Sequence, residues 1–195
     1  MLNCTRNRKK YLETILYIET DSGSGTGFCV HPSGYAVTCA HVVEDASEIY
    51  VRVGTRQDAI EKAVVVSKNK ELDLAVLHLE GSGHYSATLG LDDEIGIGDD
   101  IIILGYPFGN RVSDDVMEMS VSFTRGYISS MQTRNGRKQA LLDISAKAGN
   151  SGSPVISVAS GNVVGVLSGS ILGGQQNREE VNYMIPISSL EQLMD

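Results

Sequence analysis

GTGFCVHPSGYAVTCAHVV, residues 25–43, is the stretch whose reading decides the fold. Gly25–Val30 and Tyr35–Thr38 are rich in β-branched and aromatic residues, and His31-Pro32-Ser33-Gly34 between them is a strong turn signal. The stretch therefore reads as a β-hairpin. Its second strand runs into Cys39 and a short helical turn at Ala40–Val43, so His41 stands at a strand end, held on rigid backbone.

Outward from this hairpin the same pattern repeats. Strands are expected at Leu12–Glu19, Glu48–Val53, Ile60–Ser67, Leu74–Leu79, Asp100–Leu104, Met117–Ser129, Ala140–Ser145, Ser153–Val158, Val163–Ser168 and Asn182–Ile185, twelve in all with the hairpin. Asn135-Gly136 marks a further turn. The chain of 195 residues has 21 Gly and only 4 Pro, as tight turns between short strands require. Besides Ala40–Val43, the only helical segment is Ile187–Met194, which Ser188 or Ser189 caps. Strands at this spacing predict an all-β fold, a barrel or a sandwich. The Gly-, Ser- and Asp-rich stretch Gly81–Asp100 divides it into two six-stranded halves, and residues 1–10 read as a tail.

Composition narrows the function classes. Asp plus Glu number 24 against 16 Lys plus Arg, a net charge of -8, which argues against nucleic acid and anionic membranes as partners. No apolar run is long enough for a transmembrane helix. Glu13 and Glu19 interrupt the apolar segment behind the basic cluster Arg6, Arg8, Lys9 and Lys10, so this is not a signal peptide. Cys4, Cys29 and Cys39 are too few and odd in number for a disulfide framework. Cys29 is expected opposite residue 36, out of register with Cys39. Free thiols without an export signal lead to the expectation of a cytoplasmic protein. His31, His78 and His84 fall in a turn, a strand and a polar linker, with no metal-ligand spacing to the cysteines. No metal and no cofactor are expected.

Three places carry chemistry. They are His41, Asp73 at the head of the apolar strand in LDLAVL (72–77), and Ser151 in Gly149-Asn150-Ser151-Gly152-Ser153-Pro154. Each alone also reads as structure, a strand-end histidine, a turn-capping carboxylate or a loop serine. Together they are the parts that acyl transfer needs. A serine hydroxyl needs a neutral imidazole to take its proton, and the imidazole needs a carboxylate to fix its tautomer. A developing oxyanion needs preorganised donors. Gly149 allows a backbone turn that aims the Gly149 and Ser151 amides at one point, with Asn150 between them.

With these residues in view, the sequence resembles the chymotrypsin-fold, trypsin-like serine proteases, and most of all their HtrA/Deg branch. Residues 25–43 resemble that family's GSGF…GY…TNxHVV block, DLAVL (73–77) its aspartate motif, and DISAKAGNSGSPV (143–155) the block leading into its nucleophile. GYPFG (105–109), VVGVLSGSI (163–171) and MIPIS (184–188) match further landmarks, so the likeness covers about residues 12–195. The order His, Asp, Ser suits this fold. The resemblance implies two six-stranded antiparallel β-barrels with a short C-terminal helix. Barrel one falls at about 11–85, the linker at about 81–99, barrel two at about 100–186 and the helix at about 187–194.

It further implies a serine endopeptidase with His41 as general base, Asp73 as its orienting carboxylate and Ser151 as nucleophile. Gly149, Asn150 and Ser151 form the oxyanion loop. Asn150 replaces an Asp that pairs with a freed N-terminus in digestive relatives, so no N-terminal processing is expected. Ser145 and Ala146, with Ser168, Gly169 and Ser170 on the opposite wall, are the substrate-binding residues. Ser145 carries no charge, which favours a small or medium apolar residue before the scissile bond. Asp143 is expected in a structural role. Ser153 stands where the family often has Gly. The partner is a peptide or protein substrate, and family analogy allows an oligomer, a trimer. The loop Gly109–Met119 is a candidate regulator. Two other readings fit the same fold, an inactive peptide-binding module and a protease effector domain of a larger regulated defence or signalling protein.

Overall fold

The computed structural model describes residues 10–54, 60–107, 120–134, 136–172 and 179–193. The first six strands are β1 (Ile15–Thr20), β2 (Ser24–His31), β3 (Tyr35–Thr38), β4 (Ile49–Val53), β5 (Ile60–Asn69) and β6 (Leu74–Leu79). They close into an antiparallel barrel in the order β1-β2-β3-β6-β5-β4. The second six are β7 (Asp100–Gly105), β8 (Ser122–Arg134), β9 (Arg137–Asp143), β10 (Pro154–Ser157), β11 (Val163–Leu172) and β12 (Glu179–Pro186). They close in the order β7-β8-β9-β12-β11-β10. Closure pairs each strand with two neighbours over most of its length, so few sheet edges are left unpaired.

The hairpin read from residues 25–43 is β2 and β3. Gly34, at φ 92, makes its turn and donates to His31 O at 3.0 Å. Cys29 faces Ala36, and both Cys29 and Cys39 are buried free thiols. Inward residues such as Ile49, Val51 and Val53 on β4 alternate with half-buried ones, as a barrel wall requires. One apolar cluster spans both barrels, joining Leu16, Phe28 and Leu77 to Ile102, Leu104, Tyr106 and Val166. Tyr106 is the bolt between them. Its ring meets Tyr17 edge-on at 5.4 Å and its hydroxyl donates to Gly54 O at 2.8 Å.

Three elements differ from expectation. The chain enters β1 through a helical turn at residues 10–14, so the strand starts at Ile15. Thr14 Oγ1 bonds back to Tyr11 O at 2.7 Å, and the Tyr11 hydroxyl reaches Gly161 O in barrel two. That local bond competes with extension. The C-terminal segment Ile187–Leu193 is a 3-10 helix, not an α-helix. His84, expected on a polar linker, is 4% exposed and packs against Gly34 and Glu61. Of the tail expected at residues 1–10, only Lys10 is described, and it opens the helical turn; residues 1–9 and the loop Gly109–Met119 lie outside the described residues. Among the described residues no helix is long and apolar enough to cross a membrane.

Candidate active site

His41 and Asp73 meet in the cleft between the barrels. Asp73 ends the turn before β6. Asn69 Oδ1 accepts from the amides of Glu71 and Leu72, both at 3.0 Å, and Asp73 then adopts φ 56. An acidic side chain tolerates this left-handed backbone better than most. The turn delivers its carboxylate to His41. His41 Nδ1 lies 2.9 Å from both Asp73 oxygens, and the His41 backbone N–H donates to Oδ1 at 3.0 Å. The carboxylate thus fixes both the ring and the backbone that carries it.

Each group shifts the other. The hydrogen bond to Asp73 raises the His41 pKa above its usual value, against the opposing effect of burial, and the Asp73 charge adds to the rise. Burial pushes the Asp73 carboxyl up, but its bonds to His41 and Ser168 outweigh that and hold it below the usual range.

The sequence puts Ser168 among the substrate-binding residues, whereas the structure turns its hydroxyl away from solvent. Ser168 is 1% exposed, donates to Asp73 Oδ2 at 2.8 Å and lies 3.2 Å from the Tyr183 hydroxyl. It is a support for the carboxylate that sequence reasoning missed. The missed signal was in plain view, a serine in an otherwise apolar run, where a buried hydroxyl needs a partner. Ala146 likewise packs into the core of barrel two, while Ser145 is exposed. Gly169 and Ser170 pair with Asn182 and Val181 of β12. Past Val166, β11 has no second partner strand among the described residues, which leaves the edge from Ser168 onward open. Asp143 accepts a hydrogen bond from the Tyr127 hydroxyl.

The loop of Ser151 is held from β2. Thr26 N–H donates to Ser151 O at 2.9 Å, and Thr26 Oγ1 donates to Gly149 O at 2.7 Å while accepting from Tyr106 N–H at 3.0 Å. Asn150 N–H is used by Lys147 O and Gly152 N–H by Leu167 O. Gly149 (φ 95) and Gly152 (φ 87) take backbone angles that other residues resist. Gly152 has no room for a side chain, since a Cβ would stand 2.0 Å from Thr26 O. Among the described residues the Gly149 and Ser151 amides donate to no acceptor. Asn150 N–H, engaged by Lys147, is not a third free donor.

The serine loop packs against the segment that carries His41: Gly25 lies between Val42 and the Ser151 carbonyl, and Gly152 lies against Thr38 and Cys39. A Cβ on Gly25 would meet Val42 at 2.7 Å and Ser151 O at 3.3 Å. Among the described residues no hydrogen bond joins the Ser151 hydroxyl to His41; in substrate-free sites such bonds are often long and tighten when substrate arrives. Ser153 and Asn150 are buried, and among the described residues Ser153 Oγ and Asn150 Oδ1 have no hydrogen-bond partner. Behind Asp73 lies Cys39, fully buried, its thiol donating to Leu167 O at 3.3 Å. Burial, and then the Asp73 charge, push that thiol well above its usual pKa.

The family model for the trypsin-like peptidase domain matches residues 25–166. The chain belongs to this family. It is a serine peptidase domain of the HtrA-like kind. A probable periplasmic serine endoprotease, DegP-like, of Chlamydia trachomatis is 31% identical over 186 residues, covering 91% of this chain and 34% of that protein. A protein of the same description from Ectopseudomonas mendocina is 33% identical over 149 residues, 74% of this chain and 29% of that protein. The peptidase domain thus spans about a third of the length of these curated relatives. Among solved structures, the HtrA-type protease AlgW with a tripeptide superposes with a TM-score of 0.76 at 25% identity, over 94% of this chain and 59% of that one. Deg5, at 23% identity over 97% and 90%, has a TM-score of 0.76 and supports the fold alone.

The relatives' names overturn the expectation of a cytoplasmic protein, since they are described as periplasmic. The physical ground for that expectation was weak. Cys29 and Cys39 are buried, and Cys29 pairs with Ala36 rather than Cys39, so their being unpaired follows from the hairpin register and carries no information about where the chain works.

Proposed function

We propose that this peptidase domain is a serine endopeptidase that works through an acyl-enzyme. One observation carries the reading: a histidine locked to a carboxylate by two 2.9 Å contacts sits on a segment, Thr38 to Val42, against which the serine loop packs, and two amides of that loop are unengaged among the described residues. In this reading the Ser151 hydroxyl attacks the scissile carbonyl while His41 Nε2 takes its proton. Asp73 holds the proton of the imidazole on Nδ1 and balances the imidazolium. The Gly149 and Ser151 amides receive the oxyanion. His41 then returns the proton to the leaving amine, and water releases the acyl group by the same route in reverse.

The open edge of β11 supports binding of the peptide as an added strand. The uncharged Ser145 supports a small or medium apolar residue before the cut, and the engagement of Asp143 by Tyr127 argues against its reading a basic side chain. The periplasmic description of the relatives supports an exported site of action, and AlgW, solved with peptides, supports peptide or protein substrates.

The test is covalent. A fluorophosphonate probe should label the protein at Ser151, and Ser151→Ala should lose both labelling and peptide hydrolysis while keeping its thermal melt. Labelling that persists in Ser151→Ala, or a wild-type protein that neither labels nor cleaves a peptide library, refutes the reading.

A further inference from the structure

Sequence spacing gives no metal motif, yet folding assembles one. Ligand atoms of Cys39, His41 and Asp73 all lie within 4.8 Å of one another. Nδ1 is the ring nitrogen already beside the carboxylate. Acyl transfer has no use for the thiol. One sulfur, one imidazole nitrogen and one carboxylate oxygen form a donor set suited to zinc.

The geometry points to an inhibitory zinc site made of Cys39 Sγ, His41 Nδ1 and the Asp73 carboxylate. Zinc bonds of ~2.0–2.3 Å in a tetrahedron set the ligand atoms roughly 3.4 Å apart. The His41–Asp73 pair opens slightly to admit the ion and Cys39 closes on it. The Leu167 carbonyl, 3.3 Å from Sγ, and the Ser168 hydroxyl, 2.8 Å from Asp73, stand beside the remaining position.

Binding releases one proton, because the Cys39 thiol becomes a thiolate and its proton leaves to solvent. The imidazole stays neutral. Its nitrogen lone pair at Nδ1 goes to the ion, so its single proton moves to Nε2. Nε2–H has no lone pair with which to accept the Ser151 proton. Occupancy therefore switches off the base by fixing the wrong tautomer, without moving the serine loop. The inhibitory consequence rests on the peptidase reading above, whereas the binding site does not.

The experiment treats the whole chain, in a Cys4→Ser background that removes the thiol outside the described residues, with cobalt(II) as a spectroscopic stand-in for zinc. One equivalent of cobalt should produce a thiolate-to-metal charge-transfer absorption that zinc abolishes by displacement. Cys29→Ala should keep it and Cys39→Ala should lose it. Zinc should inhibit peptide hydrolysis reversibly by chelator, and Cys39→Ala should raise the half-inhibitory zinc concentration by more than ~10-fold. X-ray absorption of the zinc-loaded Cys4→Ser protein, with Cys39 intact, provides a readout independent of whether the Cys39→Ala variant folds, with one sulfur at ~2.3 Å expected. A coordination sphere without sulfur, a cobalt band that survives Cys39→Ala, or equal inhibition of the two proteins overturns the site. A cobalt band in a chain that hydrolyses nothing would instead leave the site standing and sink the peptidase reading.

Discussion

Thr26→Val is the sharpest probe of how the serine loop is held. The substitution keeps shape and removes only the hydroxyl. That hydroxyl donates to Gly149 O at 2.7 Å and accepts from the Tyr106 amide at 3.0 Å. Together with the bond from Asn150 N–H to Lys147 O, it fixes the peptide plane between Gly149 and Asn150. The unengaged Gly149 and Ser151 amides lie on the planes either side, so freeing the middle plane lets both drift. Each stranded group costs about 1–3 kcal/mol where the structure cannot relax. The Tyr106 amide is buried and pays in stability. The Gly149 carbonyl relaxes by turning, and pays in the fraction of loops correctly set. A loss of about 1.4–2.8 kcal/mol in that fraction is about 10- to 100-fold in kcat/KM. The assay is steady-state cleavage of a reporter peptide, alongside a thermal melt. Thr26→Ser, which restores the hydroxyl, should recover most of the activity. Undiminished kcat/KM in Thr26→Val, or no rescue by serine, would refute the clamp.

Three further outcomes follow from the site. By NMR the His41 ring should titrate above 6.5, and in Asp73→Asn the midpoint should fall, because the raising bond and charge are gone while the lowering effect of burial remains. With the sign worked out, the raised His41 pKa contributes stability that is full below the unfolded value of 6.5 and disappears as pH rises through the folded one, while kcat/KM rises over that same interval as the imidazole becomes neutral. Gly152→Ala should cost about 3 kcal/mol or more, from left-handed backbone and a clash with Thr26 O, and lower Tm by roughly 6–12 °C in a differential scanning run. Ser168→Ala should remove one charge-assisted bond to Asp73 and reduce kcat by about 10-fold with KM little changed, which stopped-flow and steady-state kinetics on one peptide will separate.

The twelve strands were legible because most are short, β-branched and bounded by turn residues, and because a closed barrel rewards that pattern. The meeting of His41 with Asp73 was legible through chemistry and resemblance, not periodicity, as nothing local says that a residue 32 positions away will reach the ring. What stayed hidden depends on long-range packing. Ser168 could not be oriented by alternation, because β11 is buried on both faces. Val163 and Val166 join the cluster shared with barrel one, while Val164 and Leu167 face the core of barrel two. His84 looked like linker because its neighbours are Gly, Ser and Tyr, and only the folded chain lays it against Glu61. Thr14 mimics a strand residue in sequence, and a single side-chain bond to Tyr11 O decides for helix.

Ser153 shows how one position depends on a distant one. Its hydroxyl, where the family resemblance implies Gly, needs space inside the loop, and residue 105 supplies it. Gly105 sits on β7, 48 positions earlier, and a Cβ there would stand 2.2 Å from Ser153 Oγ and 2.8 Å from Asn150 Oδ1. The three oxygens of Ser153, Asn150 and Thr26 therefore crowd the bare Cα of Gly105, and the first two have no hydrogen-bond partner among the described residues. Unpaired buried oxygens do not strengthen a fold, each costing about 1–3 kcal/mol. Their cost is borne by the loop that carries the nucleophile, and the bonds of Thr26 offset it from outside. The serine loop is thus held by its neighbours in barrel one more than by its own side chains, which is why a single hydroxyl on β2, rather than Ser153 or Asn150, is where its geometry can be broken.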